Sequence, residues 1–382
     1  MPLAGSRAGS PCSCLVFFWF DTSALGHYGS APVSVSPVPV SILGVSGFAG
    51  SELARLVSSH PGLSLAGVAA DRWQGLPLGE CIRLPGRAAR LPVATMADGV
   101  VLARQSAVAL LATPAEVSAK IAPELLAHGV RVVDLSGAFR LADPAAYPVW
   151  YGFEHPCPEL LVEAFYGLPE VPSVALSREG IERARLVANP GCYATAAILA
   201  LAPLIAANAI DLGTIFIDGK SGVSGAGRKV DERLLFMEVD ENLSPYRVGT
   251  HQHTPEIEQA LSRVAGAASS VRVTFVPHLL PVRRGLLVTA FARLRATTSP
   301  EEVEAIFRRY YNNPDGLVEI APPEEVSLAQ VAYTPFARVG VRAVRDRDTV
   351  VVTSALDNLL KGAASQALQN VCAMVGAAPL SL

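Results

Sequence analysis

Cysteine is sparse and unpaired in this 382-residue chain: Cys12, Cys14, Cys81, Cys157, Cys192 and Cys372 include no C-x-x-C pair. That spacing argues against a zinc site or a redox dithiol, so no metal is expected, and it suits a reduced, cytoplasmic setting. Long apolar runs are missing as well. No stretch approaches the ~20 residues needed to span a bilayer, so no membrane role is expected. The apolar patch from Leu15 to Phe20 is short for a signal peptide and meets Asp21 at once, which argues against secretion. Charged residues are few, at 17%, and a formal net charge of −3 gives no pull toward nucleic acid. No internal repeat is present. What remains is apolar, 51% of the chain, with length enough for two domains that each bury a core. Residues 1–38, rich in Ser, Pro, Gly and Ala, read as a disordered tail dispensable for folding, or as translated upstream sequence.

The stretch LVANPGCYATAAILAL, Leu186 to Leu201, organises the rest. A short apolar strand runs to Ala188, Asn189-Pro190-Gly191 turns the chain, and a helix of small and aliphatic residues follows. Cys192 therefore stands at a helix mouth, where free backbone N–H groups and the helix dipole favour a thiolate nucleophile. A buried structural cysteine is the competing reading.

Val40 to Val45 reads as a strand that feeds Gly44-Val45-Ser46-Gly47-Phe48-Ala49-Gly50, and Leu53, Leu56 and Val57 then recur at helical spacing. Glycines at such a strand-to-helix turn let backbone amides approach a pyrophosphate, the dinucleotide-binding arrangement. The next strand, Leu63 to Ala69, ends at Asp71-Arg72. Asp71 would favour NAD and Arg72 could hold a 2′-phosphate; the motif leaves both open. Further buried strands at Val108–Ala112 and Val130–Leu135 alternate with helical segments, which argues an α/β, doubly wound parallel sheet. Ligands gather at the carboxyl ends of such strands, where Thr113, Ser136 and Arg140 fall. Arg140 is an anion clamp or a surface ion pair.

Beyond Leu186 the character changes. A strand from Ile215 to Gly219 enters Ser221-Gly222-Val223-Ser224-Gly225-Ala226-Gly227-Arg228-Lys229, a loop suited to wrapping an anion. His251 and His253 precede a helix expected to have Thr254 as N-cap and Pro255 at its first position. With no third ligand near them, they read as a general base for Cys192, oriented by Glu256. Strands are expected at Val271–Pro277, Leu286–Leu294 and Val350–Ser354, a capping-box helix at Ser299-Pro300-Glu301-Glu302, and a last helix from Leu356 to Met374.

Five segments together, GVSGFAGSELARL, DLSGAFRL, LVANPGCYATA, DGKSGVSGAGRK with HQHTPEIEQ, and DNLLKGAASQALQN, resemble the N-acetyl-γ-glutamyl-phosphate reductases of the semialdehyde-dehydrogenase-like group. The resemblance implies a Rossmann domain at 39–186, completed by a C-terminal helix at 355–378, and an α+β catalytic and dimerisation domain with a mixed sheet at 187–354. It implies NADP as cofactor, a small acyl phosphate as substrate and a homo-oligomer, dimer or tetramer. It makes Cys192 the nucleophile and His253 the acid/base, with His251 second. Cofactor contacts would be Gly44, Ser46, Gly47, Phe48, Ala49, Gly50, Arg72, Thr113, Ser221, Gly222 and Asn358, and substrate contacts Ser136, Arg140 and Asn189. One departure stands in Val331-Ala332-Tyr333-Thr334-Pro335, where the family would have Gly-Ser-Asn or Gly-Thr-Asn. Reductases of β-aspartyl or carrier-linked aminoadipyl phosphate, a cysteine hydrolase and a non-catalytic NADP-binding regulator are the rivals.

Overall fold

Six parallel strands form the first sheet, and their sequences explain why both faces are covered. In chain order they are β1 (Val38–Leu43), β2 (Leu63–Ala69), β3 (Val108–Leu111), β4 (Arg131–Asp134), β5 (Phe165–Tyr166) and β6 (Leu186–Ala188), arranged β2-β1-β3-β4-β6-β5. The computed structural model describes residues 36–379 apart from 174–175, 229, 267–268, 297, 314–315 and 345–346. The expected tail therefore lies outside the described residues up to position 35, while Val38, assigned to it above, already pairs with Leu63 in β1.

Alternate residues of these apolar strands point to opposite cores, as the period of two requires. Val40, Ile42, Val108 and Leu110 pack with Leu53 and Val57 of α1 (Phe48–Ser59). Leu43, Ala109, Leu111 and Val132 pack instead with Leu125 of α2 (Ala115–Ala127). Because β1 has β2 on one side and β3 on the other, the connections from their carboxyl ends run to opposite sides of the sheet, which opens a crevice above them.

α3 (Cys192–Ala206) is apolar all round and buried from Tyr193 to Ile205. Such a helix must be enclosed on every side, and it lies against α4 (His253–Ala265) and the second sheet. That seven-stranded mixed sheet comprises β7 (Ile215–Gly222), β8 (Ser244–Pro245), β9 (Val273–Leu280), β10 (Leu286–Arg293), β11 (Val318–Ile320), β12 (Ala337–Ala343) and β13 (Thr349–Leu356), in the order β11-β12-β13-β10-β7-β9-β8. The capping box expected at Ser299 is present and opens α5 (Pro300–Tyr310).

Two helix starts differ from expectation. α4 begins at His253, with Gln252 before it, and Thr254 makes no capping bond. The last helix does not start at Leu356, because Leu356 is still in the ladder, opposite Leu286 and Ala337. Asp357 then stops the strand: its Oδ1 accepts the amides of Leu359 (2.8 Å) and Leu360 (3.0 Å). A π-helical turn, Leu360–Ala364, leads into α6 (Ser365–Val375). Ala367, Leu368 and Val371 of α6 complete the core beneath β1 and α1.

Candidate active site

Cys192 is the first residue of α3, directly after β6, so its position is fixed by the end of one sheet and the start of a buried helix. Gly191 before it has ordinary extended backbone (φ −71°), yet only glycine fits: a Cβ there would stand 2.3 Å from His253 Nε2 and 2.8 Å from Arg140 Nη1. The Nε2–Cε1 edge of the imidazole therefore packs against the turn that carries the cysteine. From the opposite side the π-turn closes in, where a Cβ on Gly362 would be 2.7 Å from that of Cys192. Sequence alone gave Gly362 no role, since its contact is with a residue far away in the chain.

Glu256 is wholly buried and ties this turn down. Its Oε1 accepts the Gly191 amide at 2.8 Å and the Tyr166 hydroxyl at 2.7 Å, and its Oε2 faces Arg140 Nη1 at 3.4 Å. The expected orienting bond to His253 is not made, because Nε2 lies 3.9 Å from Oε2. Arg140 is buried too, not a surface ion pair: Nε donates to Asn189 O (2.8 Å) and Nη2 to Leu135 O (2.7 Å). Asn189, expected to meet substrate, is wholly buried and spent on the frame. Its Oδ1 accepts from Asn370 Nδ2 (3.0 Å) and its Nδ2 donates to Ala363 O (3.3 Å), so it links the cysteine turn to the C-terminal segment. Ser136 donates through its hydroxyl to Asp134 (2.8 Å) and shapes the loop that brings Arg140 inward.

His251 stands behind His253: its Nδ1 accepts the His253 amide at 3.1 Å, and its ring meets Tyr193 and Phe275 edge-on. His253 faces Arg140 Nη1 with Nε2 at 3.5 Å, an arrangement in which a neutral ring accepts at Nε2, while its buried Nδ1 has no hydrogen-bond partner among the described residues. Burial holds the His253 pKa well below its usual value, helped by the charges of Arg140 and the exposed Arg247. Burial also lowers His251, to about 2, reinforced by His253 and Arg247. Both rings are thus neutral at pH 7. Cys192 is half-buried, and desolvation pushes its thiol up to about 11 in the ligand-free site, against the opposing pull of Arg140 and the Tyr193 amide that favours a thiolate. Desolvation outweighs the helix N-terminus here, so thiol and imidazole are both neutral at rest.

The glycine turn sits in the crevice at the switch point. Gly44 takes φ +95°, and a Cβ there would lie 2.4 Å from Ala112 O; at Gly50 one would lie 2.3 Å from Gly44 O. These glycines let α1 press onto the strand ends with Gly47 as its N-cap, beside Ser46, so the first-turn amides of Phe48, Ala49 and Gly50 face outward without intrahelical partners. That cradle fits a pyrophosphate. Thr113, after β3, bonds Ser118 (2.7 Å) at the same edge. Asp71 is engaged, accepting the Met96 amide at 3.0 Å, whereas Arg72 is exposed and, among the described residues, makes no hydrogen bond or ion pair. Ser221 and Gly222 end β7 across the crevice; Asn358 ties them in, accepting the Gly285 amide (2.9 Å) and donating to Ser224 Oγ (2.9 Å). Lys229 lies outside the described residues. Tyr333 in the atypical loop takes a left-handed φ of +65°, with its amide on Asp357 (2.7 Å) and its ring 4.6 Å from the Arg284 guanidinium.

Comparison with known proteins agrees along the chain. Residues 39–178 match the family described as semialdehyde dehydrogenase, NAD binding domain, and residues 192–358 the semialdehyde dehydrogenase dimerisation domain. A protein of Dehalococcoides mccartyi named N-acetyl-gamma-glutamyl-phosphate reductase is 44% identical over 335 residues, covering 88% of this chain and 94% of that one. One of the same name from Thermus thermophilus is 44% identical over 353 residues, covering 88% and 95%. Among solved structures, aspartate semialdehyde dehydrogenase II from Vibrio cholerae superposes with a TM-score of 0.69 at 18% identity, covering 89% of this chain and 99% of that one. Aspartate semialdehyde dehydrogenase with NADP from Candida albicans gives 0.65 at 15%, covering 90% and 99%; both establish the fold alone.

Proposed function

The chain belongs to the semialdehyde dehydrogenase family, among its N-acetyl-γ-glutamyl-phosphate reductases, and from that premise we propose that it reduces N-acetyl-γ-glutamyl phosphate to N-acetylglutamate γ-semialdehyde in arginine biosynthesis, through a thioester on Cys192. The observation that supports the covalent step is the packing of a neutral His253 on Gly191, the residue before Cys192. As Cys192 Sγ attacks the acyl carbon, His253 Nε2 takes the thiol proton and passes it to the departing phosphate oxygen. The C–O bond breaks and an acyl–Cys192 thioester remains. NADPH, when bound, supplies the hydride that reduces this thioester. The resulting oxyanion lies beside the free amides that open α3, and its collapse breaks the C–S bond to give aldehyde and Cys192 thiolate. A solvent proton relayed by His253 restores the thiol.

In this reading residues 39–186 with 355–378 hold NADP, and 187–354 carry the chemistry. His251 props the catalytic histidine, while Glu256 and Asn189 hold the cysteine turn. Arg140, whose charge Glu256 partly balances, supplies a positive field for the anionic substrate. The turn of Gly44 to Gly50, with Thr113, Ser221, Gly222 and Asn358, would frame the dinucleotide, and Arg72 would take its 2′-phosphate by paired charge-assisted bonds. A homo-oligomer, dimer or tetramer, is supported by the match to a dimerisation domain and by Phe216 and Phe291, paired in register on the sheet and 54% and 39% exposed. Among the described residues no helix is long and apolar enough to cross a membrane, and we place the protein in the cytoplasm.

The test runs the reaction backward, with NADP and phosphate. N-acetylglutamate γ-semialdehyde should be oxidised in clear preference to aspartate β-semialdehyde, because a site for a neutral acetamide rejects a free ammonium. Equal or better rates with the aspartyl aldehyde would overturn the substrate assignment.

A further inference from the structure

Two arginines that share no acid stand on segments that approach each other near the amino end of α1. Arg72 projects from the short turn Asp71–Trp73 after β2. Arg228 comes from the far side of the crevice, in the loop after β7, and its guanidinium carbon sits 4.3 Å from the centre of the Phe48 ring and 5.9 Å from that of Trp73. Phe48 opens α1, and Trp73 directly follows Arg72, so two aromatic rings steer Arg228 to the place where the first sheet ends. Among the described residues neither Arg72 nor Arg228 has a hydrogen bond or an ion-pair partner, in contrast to Arg140 and Arg284, which are paired with acids. Asp71, the nearest acid in sequence, is spent on the Met96 amide. Trp73, the residue after Arg72, brings the β2 turn within 5.9 Å of the Arg228 guanidinium, whose pKa is lowered by partial burial and then by the charge of Arg72.

Like charges held together cost free energy unless an anion sits between them. Arg228 is exposed, and its contact with the Phe48 ring favours this arrangement over free rotation. A cavity lined by Phe48, Ser224, Arg228 and Arg283, among others, runs along the same loop. The geometry points to Arg228 as the second jaw of a clamp on the 2′-phosphate of NADP, closing from the β7 loop onto the phosphate that Arg72 holds from the β2 turn. The inference rests on the NADP-dependent reading and deepens it: cofactor choice would be made jointly by both halves of the chain. Binding NADP would then tie the β7 loop, and with it Ser221 and Gly222, to the glycine turn. NAD, lacking the phosphate, would leave the loop unclamped.

The test is direct binding of 2′,5′-ADP and of 5′-ADP, followed calorimetrically, to the wild type and to Arg228→Gln and Arg228→Lys in the full chain. Wild type should prefer 2′,5′-ADP. Arg228→Gln should weaken 2′,5′-ADP by roughly 10- to 100-fold, the range for a lost charge-assisted hydrogen bond, and leave 5′-ADP unchanged. Arg228→Lys should recover part of the loss. If Arg228→Gln weakens both nucleotides equally, or neither, Arg228 only packs on Phe48 and the clamp is wrong while the NADP reading stands. If wild type itself shows no preference for 2′,5′-ADP, the NADP reading fails with it. Unchanged circular dichroism and melting temperature of the variants separate these outcomes from misfolding.

Discussion

Substituting Gly191 by alanine adds one methyl group at the point where the proposed mechanism is most sensitive. The backbone accepts it, since φ at Gly191 is −71°. Space does not: the new Cβ would lie 2.3 Å from His253 Nε2, 2.7 Å from its Cε1 and 2.8 Å from Arg140 Nη1. Ordinary contact begins near 3.4 Å, so the imidazole must retreat by about 1 Å or the cysteine turn must lift. Neither movement is free, because His253 is backed by His251 and the turn is pinned by Glu256. A displacement of about 1 Å of a reacting group costs on the order of 10²-fold in rate, and overpacking a buried site costs about 1–3 kcal/mol of stability. Gly191→Ala should therefore lower kcat about 100-fold in phosphate-dependent NADP reduction. NADPH affinity, measured by fluorescence quenching, should stay unchanged because the glycine cradle of α1 is elsewhere. A variant with wild-type kcat would show that His253 does not need to lie against the cysteine turn, and the proton-transfer assignment would fall.

Other perturbations probe separate parts of the site. Cys192→Ser should fold and bind NADPH but lose turnover, since a hydroxyl is far less ionised than the thiol; measurable wild-type-like rates would remove the covalent mechanism. His253→Asn should cost roughly 10² to 10⁴-fold in kcat, and a larger defect in His251→Asn would exchange the two roles. Arg72→Ala should weaken NADPH much more than NADH; equal losses in titration would refute its 2′-phosphate contact. Alkylation of the cofactor-free protein at Cys192 should be slow at pH 7 and rise toward half-ionisation near the value of about 11 that burial imposes. The folded thiol ionises later than the unfolded one, so its stabilising contribution is complete below the unfolded pKa and is lost as pH rises through about 11. An alkylation midpoint at or below the ordinary thiol value would contradict that burial.

Elements built on strong local signals were readable before any coordinates. β2 runs from Leu63 to Ala69 as its alternation and flanking turns require, and Ser299, Pro300 and Glu302 announce α5 through a capping box. β12 is less legible: Ala337, Val339, Val341 and Ala343 alternate, but Arg338, Gly340 and Arg342 between them weaken the signal, and Arg338 is only 19% exposed. β5 and β8, at two residues each, are too short to carry any period. At the site, residue types were legible and their partners were not. Arg140 reads as a possible clamp, but its burial depends on residues 49 to 116 positions away. Glu256 looks like an orienter of its near neighbour His253, whereas its bonds go to Gly191 and Tyr166, 65 and 90 positions distant. The thiol follows the same rule: the helix N-terminus that favours a thiolate is a local feature visible in sequence, while the desolvation that opposes it is tertiary.

The central claim is that catalysis passes through an acyl group on Cys192. It is tested most directly by mixing the enzyme with N-acetylglutamate γ-semialdehyde and NADP in the absence of phosphate, and following NADPH absorbance together with the mass of the Cys192 peptide. The account predicts a burst of one NADPH per subunit, an N-acetylglutamyl adduct on that peptide, and steady turnover once phosphate is added. No burst, or an adduct on any other residue, would contradict it.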